Sequence, residues 1–449
     1  MIKKISNFLI NKKEPIVSGI IITIFLLGLM LRLVYLSYTG PMERTHDVSG
    51  HLDYINLLSN GTMPGQDQCW ECFHPPLYYL CGAVIVKICH FLSLSDILTN
   101  IALQYFSLFL FSIFLIISFF VFKKFLNKNK VLLILAWLLL VFWPSGIIHS
   151  IRIGNDTMFY LFSILSLWFL LEWNEKDKFK YLIAALLTTL FCIYTKSSGL
   201  VMLFVIIVTV SLKWFFKKNE SVYFFMKNKG ILLIIAVFFA AIPSFINFIN
   251  FKAWGSENSS WFISNAHSLP NQLVVNNNIE NFLRFDFETF LRAPFCNPWD
   301  DASGRQFYLV TILKNSLWGE LRNGNNNVGV DILALTENVL LFLLVILVFL
   351  GSLFLKDSFW RKKIILVFYG IALVVSSIFM RLIAPFSCAN DFRYIFPILI
   401  PAIIILVSVL RELKMRKFNF LVWVGYVVII IFSICSAIFF ISGFGKLIT

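Results

Sequence analysis

The chain has 449 residues, 59% of them hydrophobic and only 14% charged, against about 25% charged in soluble domains. Repeated apolar runs of about 17–25 residues match the length a helix needs to cross the hydrocarbon core, which excludes an ordinary soluble enzyme and predicts an all-α polytopic membrane protein. The formal charge of +14 does not indicate nucleic acid, because the lysines and arginines gather in short loops between apolar runs.

Lys3, Lys4, Lys12 and Lys13 lead into an apolar segment near 16–38. It is too long for a signal-peptide core and lacks a small-residue cleavage site, so no cleavable signal is expected. Further apolar segments lie near 76–92, 100–122, 131–149, 157–172, 180–194, 199–216, 231–250, 332–355, 363–383, 393–410 and 419–443, twelve in all. If all twelve crossed from an inside N-terminus, every later basic loop would face outward. Those loops hold Lys123 to Lys130, Lys213 to Lys229, Arg361 to Lys363 and Arg411 to Lys417. Removing one span before residue 123 restores the positive-inside pattern throughout. The segment 76–92 is the one to remove: it opens on Pro75-Pro76, carries Lys87 and His90, and at about 1.5 Å per residue barely crosses. It is predicted to lie on the outer face or dip into it. Eleven spans result, with the N-terminus inside and the C-terminus outside.

The outward side then collects the chemically varied residues. In the loop 39–99, Val48 to Ser59 is predicted to form an amphipathic helix. Asp47, His51 and Tyr54, at i, i+4 and i+7, share one face, with Asp53 displaced from it. Asp47 stands at the helix start, where the amides favour an ionised carboxylate. Such a group serves as a general base for a hydroxyl nucleophile or simply caps the helix. His74, stiffened by the two prolines, suits a phosphate or hydroxyl contact or is a plain surface histidine. Glu71 reads as a second acid or a solvated side chain. Arg152, Lys196 and Arg393 lie at outward ends of different spans. They either surround a phosphate or snorkel to headgroups, and Asp156 is placed to pair with Arg152. Of the eight cysteines, Cys81, Cys89, Cys192 and Cys435 read as apolar filler. Cys69, Cys72, Cys296 and Cys388 fall on one side, where a disulfide or a metal stays open. The long loop 251–331 carries Arg284, Arg292, Arg305 and Arg322 and is placed to cover a cavity and select an acceptor.

In chain order, Asp47, His74-Pro75-Pro76-Leu77-Tyr78-Tyr79, Asn155-Asp156, Thr195-Lys196 and Arg393-Tyr394-Ile395-Phe396-Pro397 resemble the GT-C superfamily of polyprenyl-phosphate-sugar glycosyltransferases. More narrowly, they are similar to the bacterial branch related to protein O-mannosyltransferases and the aminoarabinose transferase of lipid A. The resemblance covers roughly residues 20 to 400. It implies a GT-C fold with juxtamembrane helices in the first outer loop, a seven-span module over 1–250, the loop 251–331, and a four-span region over 332–449. It implies Asp47 as the catalytic carboxylate. Around the donor it implies His74, Asp156, Lys196 and Arg393, and Arg152, His51 and Tyr54 join them as candidates from their placement. The implied partners are a polyprenyl-phosphate sugar, a hydroxyl-bearing acceptor and the bilayer. The implied reaction is an inverting single displacement at the outer face of a bacterial cytoplasmic membrane, or at an endoplasmic-reticulum membrane. No cofactor or metal ligand is named by it, though a divalent cation is compatible. Asp47 is followed by Val48 rather than by the Glu of the mannosyltransferase Asp-Glu pair, so the sugar is not implied. Two rivals remain. A transporter or flippase would place its polar groups mid-span rather than at one face. A lipid-linked polysaccharide polymerase or ligase would use a diphosphate donor and the loop arginines.

Overall fold

The computed structural model describes residues 15–43, 47–63, 68–216, 230–253, 271–319 and 328–442. Among these residues there is no strand beyond one isolated antiparallel bridge, Val274 to Phe386. The helices in chain order are α1 (Pro15–Ser37), α2 (Val48–Ser59), α3 (Leu77–Phe91), α4 (Asp96–Leu126), α5 (Lys130–Val141), α6 (Pro144–His149), α7 (Asp156–Lys176), α8 (Phe179–Thr195) and α9 (Leu200–Phe216). They continue with α10 (Ile231–Ala253), α11 (Ile279–Leu283), α12 (Phe287–Arg292), α13 (Tyr308–Trp318), α14 (Val328–Ser352), α15 (Asp357–Ile383), α16 (Leu399–Met415) and α17 (Asn419–Ile441). Seven of them, α1, α4, α9 and α14 to α17, are long and apolar enough to cross a membrane, the make-up of a multi-pass membrane protein. Shorter apolar helices fall in the predicted segments 76–92, 131–149, 180–194 and 231–250, and the 21-residue α7 fills 157–172.

The segment 76–92 forms α3, a helix of 15 residues that starts after Pro76, too short to count among the seven. Two predicted segments are interrupted. The run 131–149 breaks after α5, where Trp143 turns extended and Pro144 opens the separate α6. A proline pushes the residue before it out of the helical region and brings no amide of its own. The run 393–410 opens as 3₁₀ turns, Ser387–Asn390, Phe392–Tyr394 and Phe396–Ile398, before α16 begins. Asp391 accepts the amide of Arg393 at 3.0 Å, and Pro397 has none to give. These two breaks put His149 and Arg393 in compact turns instead of on helix surfaces. The stretch 251–331 is also more than a loop. Its described part contains α11, α12 and α13, and on α13 Lys314, Leu317 and Trp318 are fully buried.

One continuous apolar core runs from Ile21 on α1 to Phe440 on α17. The antiparallel pair α7 and α8 packs closely, with Ser166 Oγ 2.5 Å from Thr189 Oγ1. The indole of Trp137 donates to the Ile21 carbonyl at 3.0 Å, and Tyr38 donates to the Phe440 carbonyl at 2.6 Å. At one end of the bundle Lys124 bridges Glu172 and Glu175, and Lys213 pairs with Asp177 at 3.0 Å. At the other end meet the first loop, the start of α7, the end of α8 and the 387–398 turns. The 21 residues of α7 separate the two ends by about 30 Å.

Candidate active site

Asp47 occupies the capping position of α2, but its side chain makes no capping bond. Its Oδ2 lies 2.7 Å from Nη2 of Arg393. The capping role is therefore replaced by an ion pair across the fold. Burial works against that charge, but Arg393, His51 and Arg152 hold the carboxyl below the usual carboxylate range.

Glu71 is buried rather than solvated, which corrects the bland sequence reading. A disulfide joins Cys69 to Cys72 and closes the turn around it. That turn packs on α2 at Gly50, where a Cβ would stand 2.9 Å from Glu71 Cγ, so only glycine admits the approach. Glu71 Oε2 then pairs with His74 Nε2 at 2.8 Å. Against burial, His51 and His74 keep its carboxyl below the ordinary value. Of the four loop cysteines, Cys69 and Cys72 form the disulfide, and Cys296 and Cys388 are not disulfide-bonded.

The Leu77-Tyr78-Tyr79 motif ties the first loop to the start of α7. Tyr79 OH meets His51 Nδ1 at 2.9 Å and accepts from Asn155 Nδ2 at 3.5 Å. Tyr78 OH accepts the Gly154 amide at 3.0 Å. Tyr54 stacks on Tyr79 at 3.9 Å and donates to the His74 carbonyl at 3.2 Å. At residue 154 a Cβ would come within 3.1 Å of His51 Nε2, so this glycine lets the imidazole close on the pocket. Burial pushes His51 down to about 4, which leaves it neutral near pH 7.

On the far wall Lys196 pairs with Asp156, so the expected Asp156–Arg152 pair gives way to this one. The Lys196 ammonium also sits 4.5 Å from the ring centre of Tyr394. Arg393 Nε is 3.1 Å from Asp391 Oδ2. Tyr160 OH donates to the Arg393 carbonyl at 3.0 Å and lies 3.2 Å from His149 Nδ1.

Together these groups line a narrow pocket bounded by His51, His149, Arg152, Gly154, Asp156, Thr157 and Arg393. Its free space for the centre of a water is ≈ 10 Å³, room for about one water. His51, Arg152, Asp156 and Arg393 thus meet around the pocket as expected, with Asp47 on Arg393. Lys196 stands one step back, through Asp156. His74 and Tyr54 stand behind His51 and do not line the pocket. Sequence reasoning passed over His149, Thr157, Tyr160 and Asp391, and demoted Glu71. The run His149-Ser150-Ile151-Arg152 after Pro144 was the available signal.

Three of the loop arginines are engaged in local ion pairs. Arg284 pairs with Glu280, Arg292 with Glu288 and Arg305 with Asp301 at 2.8, 2.7 and 2.6 Å. None of the three lines the pocket, and Arg322 lies outside the described residues. Neither a protein-family model nor a curated protein matches the chain.

Proposed function

We propose that this chain is a membrane glycosyltransferase of the GT-C type that moves a monosaccharide from a polyprenyl phosphate to a hydroxyl acceptor. In this reading eleven helices cross a bacterial cytoplasmic membrane, and the pocket faces outward. One observation carries it: an ionised Asp47 that caps nothing and is turned to the cations of a pocket built from three distant chain segments. The Cys69–Cys72 disulfide supports the outward placement, because disulfides persist in oxidising compartments.

Asp47 accepts the acceptor hydroxyl's proton as its oxygen attacks the anomeric carbon and the bond to the polyprenyl phosphate oxygen breaks. Inversion follows from the single displacement. Arg152, Lys196 and Arg393 stand where charge develops on the leaving phosphate, and this stabilisation is the larger share of such catalysis. A substrate site takes about 300–1,000 Å³, so the pocket opens before it fills. Parting of Asp47 from Arg393 releases the base, and Asp391 keeps Arg393 in place meanwhile.

The test is transfer by purified protein offered polyprenyl-monophosphate and polyprenyl-diphosphate sugars side by side. Turnover is expected from the monophosphate, with a loss of at least about 100-fold in Asp47→Asn at unchanged expression and membrane insertion. Near-normal transfer by that variant would sink the assignment. Turnover from the diphosphate donor alone would move the protein to the polymerase or ligase class.

A further inference from the structure

The fixed charges around the pocket do not favour a phosphate as they stand. Asp47, Glu71, Asp156 and Asp391 supply four negative charges, and Arg152, Lys196 and Arg393 supply three positive ones. A phosphodiester adds a further negative charge, and like charges at short range in a poorly hydrated site repel strongly. The cations expected to clamp a phosphate are already engaged: Lys196 by Asp156, and Arg393 by both Asp47 and Asp391.

Beside the same pocket, and sharing His51 with it, lies a ligand set that can bring positive charge to it. Asp47, His51 and Glu71 each place one donor atom within 4.8 Å of the other two. Ligands held at about 2.0–2.6 Å from one ion lie no more than about 4–5 Å apart. A mixed set of imidazole and carboxylates suits divalent first-row metals. The supporting contacts are those of an oriented site. Tyr79 holds one nitrogen of His51 at 2.9 Å, and His74 holds Glu71 at 2.8 Å. Partners of this kind fix ring orientation and carboxylate direction at metal centres.

We propose that Asp47, His51 and Glu71 bind one divalent cation, and that the two positive charges it brings beside Arg152 and Arg393 let the pocket accept a phosphodiester. The second half rests on the glycosyltransferase reading; the first does not. When Asp47 turns to the ion, Asp391 retains Arg393. A carboxylate has two oxygens, so ligation through one leaves the other to take a hydroxyl proton.

The experiment is titration of the full-length protein, purified in detergent and stripped with chelator, with Mn²⁺ followed by electron paramagnetic resonance. One Mn²⁺ per chain is expected. His51→Gln and Glu71→Gln each weaken binding by at least about tenfold, and Tyr79→Phe, which keeps the stack on Tyr54, weakens it about tenfold through ring orientation. Asp53→Asn, exposed on the same helix, leaves it unchanged. Thermal melts accompany each variant, and Tyr79→Phe decides the matter if both ligand variants unfold. No stoichiometric uptake by the parent chain, or uptake equal in the parent and in Tyr79→Phe and whichever ligand variants remain folded, overturns the proposal. The titration needs no donor or acceptor. Absent Mn²⁺ binding beside Asp47-dependent transfer would remove the ion and keep the enzyme, and the converse result would do the opposite.

Discussion

Cutting the Asp47–Arg393 pair from its two sides should have unequal effects on stability. Removing Asp47 leaves Arg393 with Asp391, whereas removing Arg393 takes one cation from two carboxylates at once. Taking one partner from a buried pair costs about 3–5 kcal/mol when the other is left uncompensated. Arg393→Gln is therefore expected to destabilise by about that amount, and Asp47→Asn by less than about 1 kcal/mol. Thermal unfolding of both variants in the same detergent checks this, and equal losses would show that Asp391 does not hold Arg393. The asymmetry also marks which residue serves the fold and which is free to serve chemistry. At this scale the sequence exposed one half of each pair. The i, i+4 spacing of Asp47 and His51 and the polar span ends at Asp156, Lys196 and Arg393 are linear patterns. Their counter-charges are not. Glu71 looked solvated because its burial depends on a disulfide turn seated on Gly50, and Asp391 looked incidental because the 3₁₀ turn that aims it at Arg393 has no hydrophobic period.

Helices follow the apolar runs closely, and the departures fall where backbone amides are missing. Trp143-Pro144 and Phe396-Pro397 sit inside runs whose hydropathy never drops, so an apolar count passes over them, yet both breaks shape the pocket. The larger miss is α13, hidden in a stretch read as loop. Lys314 on that helix is fully buried and donates to the carbonyls of Thr289 and Ser303 at 3.1 and 2.9 Å. Burial pushes its ammonium down to about 8, whereas an unfolded lysine holds its proton to about 10.4. Between those values the unfolded chain binds more protons than the folded one, so stability rises with pH across that window and does not respond to Lys314 below it. Relative to Lys314→Met, the parent should gain about 1.5 kcal/mol between pH 8 and 9.5, a little less than the full slope of about 1.36 kcal/mol per unit. Melting curves of the two proteins across that range read the difference, and a flat difference would mean that the lysine keeps its proton in the fold.

At the scale of the whole molecule, charge and redox chemistry agree on a direction although they are separate observations. Lys124, Lys176 and Lys213 gather at one end of the bundle, and the Cys69–Cys72 disulfide lies at the other. Positive loops stay in the cytoplasm and disulfides form outside it, so both support the proposed outward pocket. The division into seven and four spans reads as a listing order more than a physical seam, because α16 and α17 share one core with α1 to α8. The early case against a transporter leaned on polar groups lying at one face. Glu337 qualifies it: it is fully buried within α14, and neither of its oxygens has a hydrogen-bond partner among the described residues. It stands in a continuous helix, however, and not in the broken helices that build mid-membrane transport sites. Sidedness itself is open to a direct test with single added cysteines. Asp53 lies exposed beside the pocket end, and Asn174 exposed at the basic end. In intact cells a membrane-impermeant maleimide should label Asp53→Cys above the parent background and leave Asn174→Cys unlabelled until the membrane is opened. The reverse pattern would turn the pocket to the cytoplasm, where the disulfide would be reduced. Glu71 would then lose the closed turn that holds it against α2, and the outward-facing donor chemistry would lose its setting.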